Sequence, residues 1–154
     1  DKRADRIRDV LLSGEGAGEV GVVNGIEGDR MGEISMQCCR TLVVPSLSDQ
    51  FPVVPRASIA AQRLRNFVAN GNVLVVTGGP IAKEFVNRYF GTQLQENARD
   101  GYSKGPWSLS PGGRTDSQWA AAPQELEQHE DSGTAGVTSV KRHSLPGGAE
   151  AVYV

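Results

Sequence analysis

The chain reads as an α/β domain built on a mainly parallel sheet, and three observations predict it. Two short apolar runs, Arg40–Leu47 and Asn72–Thr77, have the length and β-branched content of strands. Each is followed by a stretch with helical spacing of apolar residues, Ala57–Asn70 and Ile81–Phe90. Glycines, Gly71 and Gly91, stand where each helical pattern stops. Strand–helix–strand–helix alternation specifies parallel pairing with helices on the sheet faces.

Asp5–Ser13 opens the chain as a helix, with Ile7, Val10 and Leu11 on one side and Arg3 and Arg6 opposite. The Gly-rich stretch after Ser13 ends it. Val20–Asn24 is a short apolar run that reads as a strand, and Gly25 to Gly28 turns the chain. Asp29–Gln37 carries Met31, Ile34 and Met36 and reads as a short helix. The run Arg40–Leu47 shows no polar alternation, which fits burial on both faces. Pro45 lacks the N–H that a ladder requires, so the strand is expected to end at Val44.

In the next helix, Ile59, Ala60, Leu64, Phe67 and Val68 form the apolar face, and Arg56, Gln62, Arg63 and Arg65 face water. Asn72–Thr77 is expected to be a second strand buried on both faces. Gly79 and Pro80 suit the start of a helix, because proline in the first turn gives up no hydrogen bond. Ile81, Phe85 and Tyr89 make its stripe, widened by Ala82, Val86 and Phe90.

Beyond Gly91 the texture changes. Glu96–Ala122 is rich in Gly, Ser, Pro and Asp, and reads as short antiparallel strands or a long ordered loop anchored by Trp107 and Trp119. Pro123–His129 reads as one or two helical turns. Gly136–His143 and Ala149–Val154 read as strand segments around the turn at Leu145 to Gly148. The expected organisation is one domain: an α/β core over residues 1–95 and a β-rich, irregular extension over 96–154. The start at Asp1, without Met or a leader segment, reads as a piece of a longer or processed protein.

Composition narrows the function classes. The 154 residues carry 16 basic and 18 acidic side chains, a net charge of −2, so the basic excess of a nucleic-acid surface is missing. No apolar run approaches the length of a membrane span. The two cysteines, Cys38 and Cys39, are neighbours. A bond between them would close a small strained ring, so they read as half-buried thiols leading into a strand. No Cys or His cluster with metal-ligand spacing is visible, and neither a metal nor another cofactor is expected.

Ligands of parallel α/β sheets bind at the C-terminal ends of the strands. Here those ends carry Pro45, Ser46, Thr77, Gly78 and Gly79. Amide groups at a helix start can hold an anion. Yet neither the G-x-G-x-x-G nor the G-x-x-x-x-G-K-[ST] pattern occurs, Pro80 removes a donor, and a tight turn is the preferred reading. Thr77 and Ser46 lack the G-x-S-x-G setting and an adjacent acid–base partner, so no catalytic residue is assigned. His129-Glu130-Asp131 reads as a solvated loop, and Lys141-Arg142-His143 as the polar edge of a strand. Trp107 and Trp119 could stack on sugar; the preferred reading makes them the small core of their own segment.

The run LVVPSL, followed by RLRNFVANGNVLVVTGG and EFVNRYFGTQL, resembles a class I glutamine amidotransferase-like domain. Phe67-Val68, Gly71, Asn87, Phe90 and Gly91 carry the likeness. The opening IRDVLLSGEGAGEVGVVNGIE and the tail pieces WAAAPQEL and SLPGGAEAVYV resemble the non-catalytic, often secreted or surface-borne relatives. The resemblance implies a three-layer flavodoxin-like fold, with helices on both faces of the sheet. It leans weakly towards an extracellular or cell-surface setting. Catalytic members carry a Cys in a G-x-C-x-G elbow and a late His-x-Glu pair. Here the elbow is Thr77-Gly78-Gly79, His129-Glu130 lacks the spacer, and Cys38 and Cys39 precede a strand, so glutaminase activity is not expected. The leading expectation is a non-enzymatic structural or protein-interaction module, a pseudoenzyme whose partners are other subunits or neighbouring domains. Two alternatives stand beside it. One is a hydrolase or small-ligand domain using the crevice at Ser46, Thr77, Gly78 and Gly79. The other is carbohydrate binding through Trp107 and Trp119.

Overall fold

The computed structural model describes residues 2–13, 39–45, 58–96, 102–103, 106–126, 137–138 and 140–154. The expected strand Val20–Asn24, the expected helix Asp29–Gln37, Cys38, Ser46 and His129-Glu130-Asp131 lie outside these residues. The chain separates into two compact units, Asp1–Phe90 and Gly91–Val154.

The first unit combines helices with a two-stranded parallel sheet. Helix α1 spans Lys2–Ser13, strand β1 Thr41–Val44, helix α2 Ile59–Ala69, strand β2 Val73–Val76 and helix α3 Gly79–Phe90. The two strands run parallel in the register Thr41↔Val73 to Val44↔Val76. Backbone bonds extend the ladder at both ends, from Val73 N–H to Arg40 O (2.8 Å) and from Thr77 N–H to Val44 O (3.0 Å). β1 ends where Pro45 predicts, since proline has no N–H to continue it.

α2 starts at an N-cap. The Ser58 hydroxyl accepts a hydrogen bond from Ala61 N–H (3.2 Å), satisfying a donor that the first turn leaves open. The helix ends at Asn70, and Gly71 follows in the left-handed region at φ 83°, which glycine enters without a Cβ penalty. Asn72 Nδ2 reaches back to Phe67 O (3.0 Å) and fixes the link to β2. α3 begins at Gly79, two residues before its expected start, because Gly78 at φ 103° already turns the chain and its carbonyl accepts from Ala82 N–H. Arg65 Nη1 donates to Tyr89 O (2.8 Å), placing a cation on a carbonyl of the last turn of α3, the negative end of its dipole.

The core of this unit is Val44, Ala60, Ala61, Leu64, Phe85 and Tyr89, with Leu42, Leu74, Val76, Val86 and Phe90 packed around it. The Phe85 and Tyr89 rings stack with centroids 4.4 Å apart, the i, i+4 spacing that puts both on one helix face. Leu42, Val44, Leu74 and Val76 therefore face α2 and α3. Burial of both strand faces was expected; β2 does not show it. Val73 is 53% exposed and Val75 39% exposed. The period of two in a strand sends alternate side chains to opposite faces, and α2 and α3 share the core on one of them. Val10, Leu11 and Leu12 of α1 are exposed as well.

In the second unit, β3 (Tyr102–Ser103), β4 (Trp107–Ser108), α4 (Pro111–Thr115), β5 (Glu125–Leu126) and β6 (Val137–Thr138) follow in order. β3 pairs antiparallel with β6, and a bridge joins Glu96 to Val140. Residues 107–110 form the middle of a small antiparallel arrangement. β4 pairs with β5, and Leu109 N–H bonds Gln124 O. On the other side Ser108 exchanges both backbone bonds with Val154, and Ser110 N–H bonds Val152 O. Leu109 is 2% exposed and anchors this unit. Ser110 then caps α4 by accepting from Gly113 N–H (3.0 Å), with Pro111 in the first turn. The expected helical turns at Pro123–His129 are corrected: Glu125–Leu126 are extended, because β4 offers them a ladder. Within the expected strand Gly136–His143, Val137–Thr138 and the bridge at Val140 are extended, and a 3₁₀ turn takes over at Arg142–Ser144.

Candidate functional site

The C-terminal ends of β1 and β2 form the crevice where a ligand of such a sheet is expected. Pro45 and Gly78 are half-buried there, while Thr77 and Gly79 are exposed. Their geometry is explained by backbone needs. The Thr77 hydroxyl donates to Val44 O (3.3 Å), the same carbonyl that accepts the Thr77 N–H. Gly78 supplies the positive φ between strand and helix. The threonine thus ties the ends of the two strands together, and its proton points at a backbone acceptor rather than at a base. Among the described residues, no group of three or more His, Cys, Asp or Glu side chains is arranged to hold a metal ion.

At the other end of the sheet lies an open cleft of about 570 Å³, lined by Arg40, Asn70, Gly71 and Asn72. Arg40 precedes β1, Asn72 precedes β2, and Asn70–Gly71 close α2. Two carboxamides, one guanidinium and the carbonyl end of a helix meet there. The helix terminus favours positive charge and opposes an anionic ligand. Sequence reasoning passed over this cleft. Its only signal was the polar residue directly before each strand, a pattern that ordinary loops share.

The tyrosine with a displaced titration is structural. Burial pushes the Tyr89 hydroxyl above its usual range, and the neighbouring Arg88 opposes the shift. Its ring belongs to the core, away from solvent.

The two tryptophans of the second unit differ in setting. Trp107 on β4 is half-buried opposite Leu126, and Trp119, on the 3₁₀ turn Ser117–Trp119, is 40% exposed. Trp119 is therefore the more exposed of the two. His143 sits exposed on the turn Arg142–Ser144. Among the described residues, no helix is long and apolar enough to cross a membrane. No protein-family profile, curated protein or solved structure matches the chain.

Proposed function

We propose that the chain is a non-enzymatic interaction module, and that its partner is a neighbouring subunit or domain of a larger assembly. One observation carries this reading. The face of β2 that holds Val73 and Val75 is exposed, although both side chains are apolar and stand in a parallel strand pair. Parallel sheets are ordinarily covered on both faces. Fully covering a valine is worth about 1.5 kcal/mol or more, so a protein surface laid on this face gains from each residue. In this reading the fold is flavodoxin-like, and its third layer is completed over Val73 and Val75 on assembly. The engaged hydroxyl of Thr77 supports the non-enzymatic part, since a nucleophile needs its proton directed at a base.

The test compares the full chain with Val75→Asp in its native extract, by size-exclusion chromatography with light scattering. The parent chain is expected in a complex larger than itself. The variant is expected alone, with an unchanged circular dichroism spectrum. A parent chain that runs alone overturns the proposal. So does amide or ester hydrolysis that Thr77→Val abolishes.

A further inference from the structure

We propose that Asn70–Gly71 is a site of spontaneous deamidation, and that the C-cap of α2 controls its rate. The chemistry needs an asparagine followed by a residue whose backbone nitrogen is unhindered. Glycine meets that need best, having no side chain over the approach. The Gly71 nitrogen attacks the Asn70 side-chain carbonyl carbon. A C–N bond forms, the bond to the side-chain nitrogen breaks, and ammonia leaves with the proton given up by the Gly71 amide. Water then opens the resulting five-membered imide at either carbonyl, leaving aspartate or isoaspartate at position 70. No oxidant or reductant is involved.

The surroundings permit the reaction sterically. Both residues are exposed and border the open cleft with Arg40 and Asn72. A Cβ built on Gly71 would meet nothing within 4 Å, so neither the imide nor water is crowded out. What restrains the reaction is the cap itself. The Gly71 N–H donates to Val68 O at 2.9 Å, and Asn70 sits at φ −83°, ψ 12°. The proton that must leave is held by a helix carbonyl. Reaction therefore requires the last turn to open first, an event whose cost is set by local stability. Asn72, through its 3.0 Å bond to Phe67 O, helps keep that turn closed.

Conversion would matter to this unit. A carboxylate at the end of α2 opposes the negative pole of the helix dipole. The isoaspartate form also adds a backbone carbon between α2 and β2, next to the bond from Val73 N–H to Arg40 O that starts the ladder.

The full chain is held in mildly alkaline buffer, with and without urea, and conversion is followed by peptide mapping that separates aspartyl from isoaspartyl products. Asn24–Gly25, the other Asn-Gly pair, is scored separately in the same digest. Conversion at Asn70 is expected to be slower in the folded chain by roughly tenfold or more. Asn72→Ala is expected to raise the folded rate several-fold and leave the rate in urea unchanged. Equal rates at Asn70 with and without urea overturn the proposal, as does no conversion there in urea. A folded rate unmoved by Asn72→Ala removes the cap as the controlling element.

Discussion

Adjacent glycines in α4 should respond to the same substitution with opposite signs. A Cβ on Gly112 would come within 2.7 Å of Glu150 Oε2, which is the far end of an exposed, flexible side chain. That carboxylate can swing aside at little cost. Gly112→Ala then keeps the helix preference of alanine over glycine, about 0.5–1 kcal/mol in a helix interior and less in so short a helix. A Cβ on Gly113 would lie 2.9 Å from Leu109 Cδ1 and 3.0 Å from Val152 O. Leu109 is buried, and Val152 O is the backbone acceptor for Ser110 N–H, so neither can yield freely. Overpacking of this kind costs about 1–3 kcal/mol. Gly113→Ala should therefore be destabilising by about 1–2 kcal/mol, and Gly112→Ala neutral or slightly stabilising. Both tryptophans of the chain, Trp107 and Trp119, lie in the second unit, so their fluorescence during urea unfolding reports on this unit. With a slope near 1 kcal/mol/M for so small a unit, the two midpoints should differ by about 1–2 M. Equal midpoints, or a lower midpoint for Gly112→Ala, would refute the reasoning.

In the first unit, Leu64→Ala empties a position 3% exposed in the core and should cost about 2–5 kcal/mol. Hydrogen exchange read over α2 and β1 measures it, and a loss under about 1 kcal/mol would show that the site collapses around the gap. Ser58→Ala removes the cap bond to Ala61 N–H and should cost about 1 kcal/mol, with Ser58→Asp restoring most of it; chemical denaturation followed by circular dichroism checks both. The raised titration of Tyr89 makes a pH prediction. The folded chain holds that proton more tightly than the unfolded one, so the contribution is fully present below the ordinary tyrosine value of about 10. It is lost as pH rises above that value. Urea midpoints taken by circular dichroism across this range should fall for the parent chain and fall less for Tyr89→Phe; parallel curves would sink the assignment.

The four elements from Thr41 to Phe90 were legible because each depends on neighbours in sequence. An apolar run stopped by Pro45, a helical stripe stopped by Gly71 and a second stripe stopped by Gly91 are local signals. What the run at Val73–Val76 does not encode is how many of its faces are covered. That depends on which side of the sheet α2 and α3 take, and four apolar residues in a row suit either outcome. Glu125–Leu126 went astray for a related reason. The spacing of Pro123–His129 suits a helical turn, but pairing with Trp107–Ser108 is a distant contact with no signal of its own. At the candidate site, Thr77, Gly78 and Gly79 were placed correctly at the strand ends. The hydrogen bond that occupies the Thr77 hydroxyl depends on Val44, more than thirty residues away, and no motif announces it.

The middle position of residues 107–110 bears on the order in which the chain is assembled. Its partner at Tyr153 is about forty residues downstream, a long loop to close before the contact repays it. During synthesis, β1, α2, β2 and α3 can all leave the ribosome and pack while the second unit still lacks its closing segment. Until Val152–Val154 arrive, Ser108 and Ser110 present open amide groups along one edge, the kind of edge on which newly made chains stick to one another. The vulnerable interval thus runs from the emergence of Trp107–Ser110 to that of Val152–Val154, and it belongs to the smaller unit.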